Sequence, residues 1–130
     1  MSEYLDKVKD FLSDLDYVIT GEDPAEELVV IENEERGIKH CILDCEAPIL
    51  IIEQMIFPNP GGEKLYERLL QMNRSLVHGA FVLDNEGKNI LWRDTLEIEN
   101  LDKNELEGSL QALMLGLSEF GHELLEFTKK

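Results

Sequence analysis

The chain has 130 residues, of which 43% are hydrophobic and 31% charged, and its 28 acidic against 12 basic residues give a formal net charge of −16. This length supports one hydrophobic core, so we expect a single domain over residues 1–130, and the hydrophobic fraction argues against disorder. A field this negative repels phosphate backbones and anionic lipid headgroups, which excludes nucleic acid and membrane surfaces as partners and favours a basic protein segment.

Neither a membrane span nor a signal peptide is predicted. No run approaches the roughly 20 apolar residues of a span. The N-terminal stretch MSEYLDKVKDF carries charges where a signal peptide has its apolar region. Cys41 and Cys45 are too few for a disulfide framework. The sequence therefore predicts a cytoplasmic protein.

The first third of the chain predicts a helix followed by strands. Apolar residues recur at three-and-four spacing over residues 3–15, which is typical of an amphipathic helix. After the turn-like stretch TGEDP, a run rich in β-branched residues predicts a strand over 27–32. A hairpin turn over 33–37 and a second strand over 38–45 follow.

The stretch APILIIEQMIF, residues 47–57, is the most apolar part of the sequence and predicts the third strand over 48–57. Strict alternation divides its apolar side chains between two faces, with Ile49, Ile51, Met55 and Phe57 on one and Leu50, Ile52 and Ile56 on the other. Both faces therefore need shelter from water. We expect a second molecule to cover one of them, and the alternative is a central strand covered on both faces within one subunit.

The second half of the chain predicts a helix, a hairpin and a long helix. From Glu63 the apolar period changes to that of a helix with a broad apolar face. Strands over 79–84 and 89–99 are joined by the loop NEGK, and Asp102 with Glu105 forms a capping box that begins the last helix. The order helix, three strands, helix, two strands, helix predicts an α+β fold whose antiparallel sheet has helices mainly on one face.

Small residues recur every four positions along the last helix, at Gly108, Ala112 and Gly116. Such a track lets the backbone of another helix or strand approach closely, whereas a solvent-facing helix tolerates glycine without any contact. Both interpretations stay open on the sequence alone.

The order of elements, the size, the acidic balance and the long amphipathic C-terminal helix resemble the type III secretion chaperones of the Tir-chaperone (CesT-like) class and the related YbjN-like bacterial proteins. The most specific part of the resemblance is LLQMNRSLVHGAFVLDNEGKNILWRDTLEIENLDKNELEGSLQALM, residues 69–114. The resemblance implies a homodimer that binds an extended, often disordered client segment through apolar patches, without ATP.

The resemblance also implies where these contacts lie. Dimer contacts would come from helix two and the strand after it, residues 65–83, and our candidates there are Leu69, Met72, Leu76 and Phe81. Client contacts would come from helix one and the first three strands, and our candidates there are Phe11, Leu12, Leu50, Ile52 and Ile56.

No catalytic, cofactor or metal constellation stands out, so we predict that the protein is not an enzyme. Cys41 and Cys45 would lie roughly 13 Å apart on a strand that rises about 3.3 Å per residue. That distance is too long for one zinc ion, and we expect two buried thiols. Chance clusters of carboxylates are expected among 28 acidic residues, and neither His78 nor His122 adjoins a serine or cysteine.

Asp94 shares the predicted face of Trp92 and Leu96. It is therefore either buried beside a partner such as Arg93 or Arg74, or turned outward by a bulge. A structural role is favoured over catalysis.

These observations predict a non-catalytic, homodimeric protein-binding module. Two other functions stay open. One is a YbjN-like regulatory protein that binds a signalling partner, and the other is an acidic immunity or inhibitor protein that blocks a basic enzyme.

Overall fold

The computed structural model describes residues 3–129. The helices in this part of the chain are α1 Glu3–Asp14, α2 Glu63–Asn73 and α3 Lys103–Glu126. The strands are β1 Val18–Asp23, β2 Leu28–Asn33, β3 Ile38–Glu46, β4 Ile49–Pro58, β5 Ala80–Leu83 and β6 Asn89–Glu97. These strands form one antiparallel sheet in the order β1-β2-β3-β4-β6-β5, so β1 and β5 are its edges.

All three helices contribute to one apolar cluster with a single face of the sheet. In β4 the buried side chains are Leu50 and Ile52, while their neighbours Ile49 and Ile51 are only partly buried. The same alternation holds in β2, where Val29 and Ile31 are buried, because successive side chains of a strand point to opposite faces. The predicted fold class, an antiparallel α+β sheet with helices on one face, is confirmed.

The structure adds one strand to the predicted order. Residues 18–23, which include most of the stretch interpreted as a loop, form β1 and pair with β2 through a register shift between Ile19 and Gly21. Most of β1 is exposed. An edge strand owes its conformation to the ladder with its neighbour more than to its own apolar pattern, so the sequence signal was weak.

Successive side chains of β4 alternate between buried and more exposed as far as Met55, and a β-bulge follows. Met55 and Phe57 pair with successive residues of β6, which makes Ile56 the extra residue. The bulge returns Phe57 to the helix-covered face, where it is buried. The prediction that grouped Phe57 with Ile49 and Ile51 was wrong because strict alternation fails beyond an extra residue.

α3 begins at the predicted capping box. Asp102 Oδ1 accepts the N–H of Glu105 at 2.8 Å, and Glu105 Oε1 accepts the N–H of Asp102 at 3.0 Å. Within residues 3–129, neither this helix nor another combines the length and apolar character needed to cross a membrane.

The track of small residues on α3 lies under the loop that joins α2 to β5. A Cβ atom added to Gly116 would lie 2.9 Å from Leu76 Cδ2, and one added to Gly108 would lie 4.0 Å from His78 Nε2. Ala112, between them, is buried. The close neighbours of the track are therefore side chains of a loop, and not the helix or strand backbone that one of the two interpretations expected.

Candidate protein-binding surfaces

The face of the sheet opposite the helices has no covering element within residues 3–129, and we call it the open face. Its apolar side chains are partly exposed, and Met55 is exposed over 52% of its surface. The members of this apolar set are Leu28, Val30, Ile42, Ile49, Ile51, Met55, Val82 and Leu91. Cross-strand pairing of Val30 with Ile42 and of Met55 with Leu91 makes the set continuous across neighbouring strands. Exposed apolar surface of this kind is typical of an interaction site.

Charged side chains interrupt this apolar surface in its centre. Arg93 of β6 faces Glu53 of β4 across the ladder, and its Nε lies 2.9 Å from Glu53 Oε2. Asp44 of β3 lies between Leu28 and Ile51 on the neighbouring strands. Burial, with the negative charges of nearby glutamates, raises the pKa of Asp44 to about 6. A cationic neighbour would stabilise the ionised form of such a carboxylate.

The structure places three of the five predicted client residues in the core of the subunit. Leu12, Leu50 and Ile52 are fully buried beneath or within the helical layer. Phe11 and Ile56 are partly buried and pack against the same core. The exposed side of β4 carries Ile49, Ile51 and Met55, so the buried Leu50 and Ile52 on its other side are not accessible to a client on the folded subunit.

The sequence did contain a signal for which face of β4 is exposed. Glu53 shares the alternation of Ile49 and Ile51, whereas the uncharged Gln54 shares that of Leu50 and Ile52. A charged side chain marks the wetter face of a strand. Gln54 is buried, and its amide accepts the N–H of Lys39 and donates to the carbonyl of Gly37, each at 3.0 Å.

The predicted dimer residues also lie mainly in the core. Leu69, Met72 and Phe81 are buried, and Leu76 is partly buried against α3. The exposed apolar side chains of the same segment are Leu70 at 72%, Val77 at 75% and Leu83 at 44%. We call these three residues the α2–β5 surface. The exposed apolar side chains of this segment are therefore different residues from the predicted ones.

The two cysteines are buried, unpaired thiols, as expected from the sequence. Burial raises the pKa of Cys41 to about 12 and contributes most to raising that of Cys45 to about 11. Both remain protonated at neutral pH and are poor nucleophiles.

Asp94 has a partner that neither sequence interpretation named. The hydroxyl of Ser109, buried on α3, donates to Asp94 Oδ2 at 2.7 Å. The N–H of Thr95 donates to Asp94 Oδ1 at 2.9 Å. Asp94 therefore ties β6 to α3 on the helix-covered face, and the arginines suggested by the sequence are not its hydrogen-bond partners.

Comparisons with known proteins agree with this architecture. The chain is similar to the crystal structure of YbjN from E. coli, with a TM-score of 0.71, 15% identity and coverage of 92% of both chains. It is similar to a chain of the HopA1–SchA chaperone–effector complex, with a TM-score of 0.63, 16% identity and coverage of 89% of this chain and 93% of the other.

A third similar structure is the Yersinia pestis type III secretion chaperone SycH in complex with a fragment of YscM2. Its TM-score is 0.58, with 15% identity and coverage of 88% of this chain and 98% of the other. A search of curated proteins finds no match. At these identities the likeness shows the fold. A family model, CesT_Tir_1, matches residues 1–130, so the chain belongs to the CesT_Tir_1 family.

Proposed function

We propose that this protein is a non-catalytic binding module that acts as a homodimer and holds an extended segment of a client protein on its open face. The observation that carries the proposal is the uncovered apolar side of the sheet, which includes Ile42, Ile49 and Ile51. Two solved structures of similar fold are complexes of a secretion chaperone with a protein partner, which supports a protein client here.

Buried apolar area and the net charge of the chain both favour a client on the open face. Each apolar side chain transferred from water to a client gains about 25 cal/mol per Å² of surface that becomes buried. A net charge of −16 meanwhile opposes association of the open faces of two copies, because like charges repel. The same field attracts basic segments of other proteins.

Selection from a random peptide library displayed on phage tests client binding by the full chain. We expect enrichment of peptides with alternating apolar residues, which suit an extended conformation. Ile51→Asn replaces an apolar contact under the bound segment with an uncharged polar group and should weaken the best peptide about tenfold. Leu115→Asn is the matched control, because Leu115 is 57% exposed on α3, on the helical side of the sheet.

Circular dichroism of both variants confirms that they remain folded before binding is measured. The proposal is overturned if the wild-type chain enriches no peptide, or if Ile51→Asn and Leu115→Asn bind the selected peptides equally well.

The homodimer is proposed to form through the α2–β5 surface. Leu70, Val77 and Leu83 are strongly exposed, and they lie on α2, on the loop after it and on the edge strand β5. A second copy placed here would bury them, and because Leu83 lines one groove with Val82 and Leu91 of the open face, the dimer contact would adjoin the client surface.

Sedimentation velocity at micromolar concentration tests the dimer. We expect a dimer for the wild-type chain and a monomer for Leu70→Glu, because two buried glutamates would face each other near a two-fold axis. Leu125→Glu should remain dimeric, because Leu125, 57% exposed near the end of α3, is outside the α2–β5 surface. A wild-type chain that sediments as a monomer contradicts this part of the proposal.

A second candidate function is regulation through a protein partner, as in the YbjN-like alternative. The TM-score of 0.71 to YbjN, described as a candidate transcription regulator, favours it. The acidic field disfavours direct DNA contact, so such a regulator would bind a folded protein. Isothermal titration distinguishes the functions, since a client chaperone binds isolated selected peptides while a regulator of this type requires a folded partner.

A further inference from the structure

Asp44 lies on the open face, two residues before the end of the inner strand β3. Its strand, β3, has β2 on one side and β4 on the other, and the ladder sets Asp44 opposite Leu28 and Ile51. Along β3 its neighbours on the same face are Ile42 and Glu46. Three of these four neighbours are aliphatic, and an ionised group without a partner is costly in such surroundings.

The carboxylate of Asp44 is incompletely satisfied within the subunit. Its Oδ1 atom is buried and has no hydrogen-bond partner among residues 3–129. Arg93 lies on the same face, but it is two strands away and is paired with Glu53. Within the described residues 3–129, no basic side chain forms an ion pair with Asp44.

The charged groups that act most strongly on Asp44 are all negative. They are Glu46 on the same strand, Glu26 in the turn between β1 and β2, and Glu53 on β4. Together with burial they raise the pKa of Asp44 to about 6. The charge at this point of the sheet is therefore complementary to a cationic side chain.

We propose that the segment bound on the open face carries a lysine or arginine that pairs with Asp44, flanked by apolar side chains that pack on Leu28, Ile42 and Ile51. This inference rests on the proposed function, because it names the chemistry of the segment held at that site. A lysine or arginine stem packs on aliphatic neighbours while its charged end reaches the carboxylate.

The spacing of side chains along a strand defines the sequence pattern expected in the bound segment. Side chains on one face of a strand recur every second residue, about 6.6 Å apart. A segment that runs along β3 would place an apolar side chain over Ile42 and the basic one over Asp44. The basic residue should therefore have an apolar residue two positions away in the selected peptides.

The experiment repeats the peptide selection with the wild-type chain, Asp44→Asn and Asp10→Asn. Asp10→Asn makes the same change of charge on an exposed position of α1. We expect wild-type selection to enrich a lysine or arginine next to apolar positions. The best synthetic peptide should bind Asp44→Asn about tenfold more weakly, the size of a charge-assisted hydrogen bond. Asp10→Asn should bind like the wild type.

A second measurement changes the peptide and leaves the protein intact. Replacing the selected basic residue by methionine should weaken binding to the wild type about tenfold and hardly change binding to Asp44→Asn, as a double-mutant cycle requires. Selection of apolar peptides without a basic preference, or equal losses for Asp44→Asn and Asp10→Asn, overturns the inference while leaving client binding in place. Failure of the wild-type chain to enrich any peptide overturns both.

Discussion

Gly79 lies against the indole ring of Trp92 just before β5. Its φ is +75°, and an added Cβ atom would lie 2.4 Å from Trp92 Cζ2. Trp92 is fully buried, so the ring has no space into which it can move. Glycine is required here both by the backbone conformation and by the close approach.

Gly79→Ala should lower the free energy of unfolding by about 3 kcal/mol. Roughly 1–2 kcal/mol comes from the left-handed conformation and a similar amount from the clash with Trp92. Urea denaturation followed by tryptophan fluorescence measures the loss. Gly61→Ala is the matched control, because Gly61 has a φ of +77° and no atom within 4 Å of its added Cβ. Equal losses for the two variants contradict the close contact.

Asp44→Asn should stabilise the folded chain by about 1 kcal/mol near pH 8. The expected gain is this small because solvent screens the partly exposed carboxylate. The folded-state pKa of about 6 lies above the ordinary value of 3.8. The folded chain therefore holds a proton that the unfolded chain releases, and wild-type stability falls as pH rises between these values. The difference in stability between Asp44→Asn and the wild type should vanish as pH falls towards 4.

Chemical denaturation at several pH values measures this difference, and Asp10→Asn controls for the loss of one negative charge. An advantage of Asp44→Asn that is constant from pH 4 to 8, or absent at pH 8, contradicts the raised pKa of Asp44.

At the scale of elements, α2 protects the edge of the sheet formed by β5. The Asn73 amide Nδ2 donates to the carbonyl of Phe81 at 3.1 Å, and its Oδ1 accepts the N–H of Phe81 at 2.7 Å. This amide takes the place of a neighbouring strand at the middle of β5. An edge strand closed in this way is a poor site for pairing with another chain.

Asn73→Ala should lower the free energy of unfolding by about 1–2 kcal/mol, because it leaves the backbone groups of Phe81 without their partner. Native-state hydrogen exchange should show faster exchange of the Phe81 amide. Asn85→Ala, on an exposed position of the β5–β6 loop, should change neither quantity. Unchanged exchange at Phe81 in Asn73→Ala contradicts the role of this side chain.

At the scale of the whole molecule, negative charge opposes the compact state and limits self-association. The chain carries 28 acidic and 12 basic residues, so most carboxylates lack a basic partner even if every basic residue forms one ion pair. Repulsion of this kind is long-ranged at low ionic strength and is screened by salt.

Raising sodium chloride from about 10 to about 150 mM should raise the thermal midpoint by a few degrees, because the screening length falls from about 30 to about 8 Å. Circular dichroism at fixed protein concentration measures the midpoint. Potassium chloride should act equally if screening is the cause. A midpoint that falls with salt would show that attractive ion pairs outweigh the repulsion.

The sequence by itself determined the types of most elements and the layer arrangement. The apolar periods of 3.6 and 2 located the helices and five of the strands, and the side-chain chemistry of Asp102 and Glu105 located the start of α3. These signals are local, since they depend on residues a few positions apart. The family resemblance followed from the same order of elements and is confirmed by the family match.

Apart from the signal that Glu53 gives in β4, the tertiary structure decided which apolar side chains are exposed. β4 is apolar on both sides, and helix packing covers Leu50 and Ile52 while leaving Ile49 and Ile51 outward. The bulge at Ile56 and the pairing of β1 depend on neighbouring strands that are distant in sequence. Burial is a property of the assembled layers, so a local pattern identifies an amphipathic or apolar strand but not the partner that covers it.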